Sequence, residues 1–468
     1  MHRTFNAAVA IALLLTLGCM AMEPIVLQAE RATLTNVTPA TTRAAHEGDA
    51  YVTGFTAPSS ALLFNVEAPA AGVYDLDIRY AAAGGKGYAL TVNDVGYDGF
   101  FPASPDAWST FAAGKIELAA GANAIKLGKG WGHFDIDSLR LTPSRPYEKP
   151  KAIAPTLSTA NASDEAQDLM KRLVGTYGTT TLSGLISPDD VRYLREVTGA
   201  SPAVMAGDLM DYTPSRRERG AEPKGETERL IAAHRNGQIV TVSWHWNAPR
   251  DLIDKREHVD AKGNKVDASW YRGFYSNATT FDFAAALDQP EGEAYQLLIR
   301  DIDVIAAELR KLHEAKVPVL WRPLHESDGT WFWWGTRGPA NLNRLWRLLH
   351  ERLTVHHKLD NLIWVYTWND HDWYPGDDVV DIVGIDAYPS KVNDRLSAKW
   401  AEALRTFDGK KLIALSEFGG VPDVEGMHRL GIAWSYFASW SGEQGPRKNA
   451  REDLVRIFKS PTIANLQK

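Results

Sequence analysis

Trp321-Arg322-Pro323-Leu324-His325-Glu326-Ser327-Asp328-Gly329-Thr330-Trp331-Phe332-Trp333-Trp334-Gly335 opens as a buried strand and closes as a loop crowded with polar and aromatic groups. Packing alone does not gather Arg322, His325, Glu326 and Asp328 at one strand end, because charged side chains are rarely buried without partners. The same set suits a reaction on a sugar. Flat apolar rings stack on pyranose faces, and an apolar wall raises a carboxyl pKa until the group can donate a proton.

Working outward, the strand that delivers this loop, Val317–Leu324, is one of eight short apolar runs. The others are Thr181–Ile186, Ala203–Asp208, Ile239–His245, Leu362–Trp368, Ile382–Ala387, Leu412–Glu417 and Ser435–Trp440. Helical periodicity fills most of the gaps, as in Glu293–Glu314, Leu342–Val355 and Leu396–Phe407. A helix over Glu165–Tyr177 precedes the first strand and one over Ala450–Phe458 follows the last. Eight β/α alternations over roughly 300 residues predict an α/β fold, a (β/α)8 TIM barrel, across residues 161–468. A doubly wound open sheet fits less well, since no Gly-rich phosphate turn follows an early strand.

Upstream the pattern changes. Residues 25–142 show short alternating runs between Gly, Asn, Asp and Pro turns, such as Val73-Tyr74-Asp75-Leu76-Asp77-Ile78-Arg79-Tyr80. That period of two, with little helical signal, predicts a β-sandwich domain. A Pro-rich linker, residues 143–160, joins it to the barrel.

Whole-chain properties narrow the partners. The chain has 468 residues, enough for two or three domains, and a formal net charge of -7. It has no basic block, which argues against nucleic acid. Sixteen tryptophans and sixteen tyrosines supply platforms for a neutral ligand as well as core. His2 and Arg3 followed by the apolar run Ala7–Leu17 predict a signal peptide over residues 1–21, too short an apolar stretch to remain as a membrane span. Leu15-Thr16-Leu17-Gly18-Cys19 resembles the cleavage site of bacterial lipoproteins, which implies a lipid on Cys19, and ordinary cleavage after Ala21 competes with it. The expected location is secreted, periplasmic or lipid-anchored at the outer membrane, with the membrane touched only through that anchor. Cys19 is the only cysteine, so no internal disulfide is expected, and a monomer is the default.

Functional groups of a barrel gather where strands end. Here those ends read Trp244-His245-Trp246-Asn247, His325-Glu326, Trp368-Asn369-Asp370, Asp386-Ala387-Tyr388, Ser416-Glu417-Phe418-Gly419 and Trp440. Glu326 and Glu417 are the only glutamates in the set, on opposite sides of the barrel mouth. Two facing carboxyl groups are the minimum apparatus for glycoside hydrolysis: one protonates the leaving oxygen, the other attacks the anomeric carbon or activates a water. The mixture His245, His325, Asp370, His371 and Asp372 has no zinc-like spacing, so no catalytic metal or cofactor is expected.

The segments Arg322–Glu326, Trp331–Gly335 and Ala414-Leu415-Ser416-Glu417-Phe418-Gly419 resemble glycoside hydrolase family 26, mostly endo-β-1,4-mannanases. Thr181–Gly184 and Ser243–His245 extend the likeness, which runs from about Ser163 to the C-terminus. The resemblance implies a (β/α)8 barrel, Glu326 as acid/base, Glu417 as nucleophile and retention of anomeric configuration. It implies that His325 holds Glu326 or a sugar hydroxyl and that Tyr388 orients the nucleophile. His245 and Trp331 would line the subsite of the cleaved bond, with Trp246, Trp334 and Trp440 also counted among the substrate-binding groups. The implied partner is β-mannan, as polysaccharide or oligosaccharide. A lichenase, a β-1,3-xylanase and a non-catalytic surface glycan-binding protein are the alternatives. Ser441-Gly442 after Trp440 departs from the family pattern, and Asp254–Asp267 is an insertion expected to form a surface loop.

Val26–Ala32 and Trp131–Leu141 resemble the two ends of a family 35 carbohydrate-binding module. That likeness implies a structural calcium on Glu30 and Asp137, since a hard cation prefers oxygen ligands. It also implies sugar stacking by Trp131 and Tyr97.

Overall fold

The computed structural model of the protein describes residues 23–467. The predicted signal segment, residues 1–21, and Cys19 lie outside the described residues. Among the described residues no helix is long and apolar enough to cross a membrane.

The N-terminal half forms two six-stranded antiparallel sheets. Alternation sets the layers: in Gly72–Ala82 the residues Tyr74, Leu76, Ile78 and Tyr80 turn inward while Val73, Asp75, Asp77 and Arg79 are part-exposed. Ile125 pairs with Phe64 on one side and Val92 on the other, so one sheet presents a continuous apolar row. The opposite sheet meets it ring to ring, Tyr80 stacking on Phe101 at 4.3 Å between centroids.

The C-terminal half is a closed barrel of eight parallel strands. In order they are Gly184–Leu185, Val204–Asp208, Ile239–Ser243, Val319–Arg322, Leu362–Thr367, Ile382–Ala387, Leu412–Phe418 and Phe437–Ser439. Every residue of Leu362–Thr367 and Leu412–Phe418 is buried, because one face fills the barrel and the other meets the helices. The helix Glu293–Glu314 buries a single stripe, Leu298, Ile302, Ile305, Leu309 and Leu312, at spacings of three and four.

The structure corrects some expected bounds. The first strand is broken: Thr181–Leu182 pairs with Ile463–Ala464 in a separate two-stranded sheet, and only Gly184–Leu185 enters the barrel. Gly184 is required there, since a Cβ would lie 2.3 Å from the carbonyl of Phe437. The helix expected over Leu342–Val355 starts at Gly338, is α-helical to Glu351, and ends in a π turn, Arg352–His356. The insertion forms an exposed hairpin, Lys255–Val259 with Lys265–Ala268. The linker is pinned to the barrel by Tyr147 N–H to Leu430 O, Lys151 N–H to Asp408 and Ser158 N–H to Asp381.

Candidate active site

The fourth strand ends in an unusual backbone. Leu324, Glu326 and Thr330 have φ of 48°, 52° and 59°. Left-handed non-glycine residues cost about 1–3 kcal/mol each, so the surrounding contacts must enforce them. They do. Trp334 Nε1 donates to His325 O at 2.9 Å, and Trp333 Nε1 donates to Trp246 O at 2.5 Å. Behind them, Trp246 Nε1 donates to the buried Asp301 at 2.9 Å and its ring stacks on Trp244. This tryptophan layer fixes the turn that presents Glu326.

Glu326 accepts from Trp331 Nε1 at 2.9 Å, and the Trp331 ring is 45% exposed. Facing it, Glu417 is buried on the seventh strand. Its Oε2 accepts from the Tyr388 hydroxyl at 2.6 Å, and its Oε1 from the Arg322 guanidinium. Arg322 also donates to Asp386 at 2.8 Å and to Thr367 at 3.2 Å, and Asp386 accepts from Ser416 Oγ at 2.6 Å. One oxygen each of Glu326, Asp386 and Glu417 lie within 4.8 Å of one another.

Two carboxyl groups, Asp386 and Glu417, thus share one guanidinium, with Glu326 close by. Burial opposes the Arg322 charge, but Asp386 and Glu417 outweigh it and hold the group firmly protonated. Burial, then Asp386 and Glu417, push the Glu326 carboxyl well above the ordinary range, against the pull of Arg322. Burial raises Asp386 as well, opposed by Arg322. A carboxyl pushed up in this way favours its protonated form, beside the clamped Glu417.

The next wall is a chain of two histidines. Asp208, closing the second strand, accepts from His245 Nδ1 and from the His245 backbone N–H at 3.2 Å. Burial alone would raise Asp208, but the His245 contacts hold it below the ordinary range, so it is ionised and takes the Nδ1 proton. His245 Nε2 lies 3.2 Å from His325 Nε2, so a single hydrogen bond joins the two rings. The other nitrogen of His325, Nδ1, is buried without a partner. Burial, with Arg322 and His245 nearby, keeps His325 neutral. Phe274, Phe332 and Trp440 surround the His245 ring at 4.9, 5.6 and 6.2 Å, with Trp440 part-exposed at the rim.

The structure thus brings Glu326, Glu417, His245, His325, Trp331, Tyr388 and Trp440 together. Trp246 and Trp334 are corrected: both are fully buried and support the cleft from behind, where no sugar reaches. Asp370, His371 and Asp372 stand on a separate exposed turn. Sequence reasoning assigned no role to Arg322, Asp386, Asp208 or Phe274. The first three carried a signal, since each is a charged residue ending an apolar strand.

In the N-terminal module Trp131 is 57% exposed beside Phe100, with Lys86 Nζ 5.8 Å from its ring. Tyr97 is corrected: it is buried and accepts from Glu117 N–H at 3.3 Å, so it cannot stack on a sugar. Asp137 is buried, and its carboxylate accepts from Arg79 and from the Glu47 N–H. Glu30 and Gln28 fit a cation better. Glu30 Oε1 and Gln28 Oε1 crowd one spot over Gly48, 2.6 and 2.9 Å from where its Cβ would stand. Glu30 Oε2 and Gln28 Oε1 are buried without hydrogen-bond partners.

Residues 158–468 match the model of glycosyl hydrolase family 26, and residues 25–144 that of carbohydrate binding module family 35. A mannan endo-1,4-beta-mannosidase of Thermothelomyces thermophilus is 40% identical over 443 residues, 94% of this chain and 89% of that one. Mannan endo-1,4-beta-mannosidase A of a Piromyces species is 30% identical, over 94% of this chain and 72% of that one. The crystal structure of a Podospora anserina GH26-CBM35 beta-(1,4)-mannanase superposes with a TM-score of 0.67 at 41% identity, covering 95% of this chain and 98% of that one. A closed eight-stranded barrel preceded by two antiparallel sheets agrees with those matches, and the chain belongs to glycosyl hydrolase family 26, with a family 35 carbohydrate-binding module ahead of its barrel.

Proposed function

We propose that the protein is a retaining endo-β-1,4-mannanase. The observation that carries the mechanism is the short gap between Glu326 and Glu417, whose nearest oxygens lie within 4.8 Å. Retaining enzymes hold their carboxyl groups at about 5–5.5 Å, whereas inverting ones need about 6.5–9.5 Å to seat a water. The relatives' names support mannan as the polymer.

A mannan chain lies across the barrel rim on Trp331 and Trp440. Protonated Glu326 gives its proton to the glycosidic oxygen as that bond breaks, and Glu417 forms a bond to the anomeric carbon. Arg322 and Tyr388 keep the attacking carboxylate aligned. Glu326, now ionised, takes a proton from water, whose oxygen attacks the anomeric carbon and releases Glu417. Glu326 is protonated again, by a proton from the attacking water, and no cofactor enters.

The test is reducing-end release from linear mannan and galactomannan. Loss of Glu326 in Glu326→Ala should cost about 10²–10⁴-fold. Glu417→Ala should cost about 10⁴-fold or more, as for other nucleophiles. Proton NMR of fresh product should show the β-anomer first. Activity surviving Glu417→Ala, or the α-anomer appearing first, would overturn the mechanism. A wild type inert on mannans yet active on lichenan or β-1,3-xylan would overturn the substrate.

Two accessory readings belong to the same proposal. Gln28 and Glu30 hold a structural calcium in the module, where it would stiffen the turn at Gly48. Export by the N-terminal segment suits an enzyme acting on a polymer that does not enter cells. Chelation should lower the melting temperature of the wild type and leave that of Glu30→Ala unchanged.

A further inference from the structure

Of the two described residues that hydrogen-bond Glu417, Arg322 lies on a barrel strand and Tyr388 on a surface loop. It follows the sixth strand, Ile382–Ala387, and precedes the helix Ser397–Phe407. Its ring is 45% exposed. Such a loop would ordinarily be mobile, yet the nucleophile's alignment rests on it.

The N-terminal module grips this loop two residues from Tyr388. Asp98 Oδ2 accepts from Ser390 N–H at 3.0 Å and from Ser390 Oγ at 2.7 Å, while Asp98 Oδ1 accepts from Leu90 N–H at 3.1 Å inside the module. Asp98 is thus anchored to a sandwich strand on one side and to the catalytic loop on the other. Its own N–H donates to the fully buried Asp394 at 2.8 Å. Further along, Arg395 N–H donates to Gly96 O at 3.0 Å and Lys115 N–H to Ser397 Oγ at 2.7 Å.

The two surfaces are fitted without slack. A Cβ on Gly96 would stand 2.7 Å from Asp394 Oδ2, and one on Gly114 would stand 2.6 Å from Ser397 Oγ. Between the grip and the tyrosine lies Pro389. Its ring fixes its own φ and restricts Tyr388 to extended backbone. A displacement at Ser390 therefore passes to Tyr388 instead of being absorbed between them.

We infer that Asp98 is a positioning residue for the reaction: through Ser390 and Pro389 it holds the Tyr388 hydroxyl on Glu417, which makes the carbohydrate-binding module part of the catalytic apparatus. The inference rests on the reading of Glu417 as nucleophile and Tyr388 as its partner.

The experiment is a double-mutant cycle on the full chain, with the short oligosaccharide mannotetraose as substrate. Asp98→Ala, Ser390→Ala, Tyr388→Phe and the two doubles are compared. Ser390→Ala removes only one hydroxyl and guards against misfolding of Asp98→Ala. A 1 Å misplacement near the chemistry can cost about 10²-fold. We expect kcat to fall about 3–30-fold in Asp98→Ala, less in Ser390→Ala, with KM little changed. In the Tyr388→Phe background neither substitution should lower kcat further. Losses that multiply fully with that of Tyr388→Phe, or an unchanged kcat in both single variants, would overturn the inference alone. An unchanged kcat in Tyr388→Phe would overturn the role of Tyr388 and the inference with it.

Discussion

Glu326 joins reactivity to instability in one residue. Its folded pKa lies above its ordinary value because burial and two neighbouring carboxyl groups disfavour the charge. The native state therefore binds this proton at pH values where the unfolded chain has released it. By linkage, stability from this site is present below the ordinary carboxyl pKa and is lost as pH rises towards the folded pKa. Glu326→Gln should raise the melting temperature more at pH 8 than at pH 5, by calorimetry; an equal rise at both would contradict the assignment. In the wild type, kcat/KM should fall on the alkaline side as Glu326 loses its proton. Asp208 acts in the opposite sense, since it is ionised and fixes the His245 tautomer. Asp208→Ala leaves a buried imidazole N–H unpaired and should cost about 1–3 kcal/mol in urea unfolding. A change within error would mean that water or another group satisfies His245.

The element that decides the site is the loop from Leu324 to Gly335. It is locked from within: a Cβ on Gly335 would stand 2.0 Å from the Ser327 carbonyl, and Trp334 ties down His325 O. Trp334→Phe keeps the ring packing and deletes only the Nε1 donor. It should destabilise by about 1–3 kcal/mol, because a buried carbonyl loses its partner. It should also lower kcat as the left-handed turn at Glu326 relaxes. Unaltered kinetics in a folded Trp334→Phe would show that the strained backbone is held by other contacts.

Across the whole molecule, sandwich, linker and barrel are joined by directional contacts. Arg429 pairs with Glu117 at 2.9 Å, and the linker donates backbone hydrogen bonds to the barrel at Leu430, Asp408 and Asp381. Domains that share this many fitted contacts should unfold together. Calorimetry of the full chain should give one cooperative transition, and Gly96→Val, which forces a side chain against Asp394, should split it into two. Two transitions in the wild type would show that the domains are energetically independent.

The strand ends, the two glutamates and the change from period two to alternating helices and strands were legible in the sequence, because each depends on neighbouring residues and on which face they cover. Glu293–Glu314 was legible to the residue for the same reason, its apolar stripe running unbroken. The first strand was not, since its split depends on Ile463–Ala464, at the far end of the chain. The tryptophans of one short loop show the limit most plainly. Trp331 faces the cleft while Trp333 and Trp334 are buried, and all three look alike in sequence. Barrel strands and their loops are apolar on both sides, so composition does not say which side meets solvent. The clamp on Glu417 joins side chains far apart in the chain: Arg322 is 95 residues away and Tyr388 is 29. The sequence by itself determined the barrel, the sandwich and the paired glutamates. Only the tertiary structure decided which groups share the buried guanidinium, which ring nitrogen of His245 meets Asp208 and which domain steadies Tyr388, because burial and charge proximity exist only once distant strands meet.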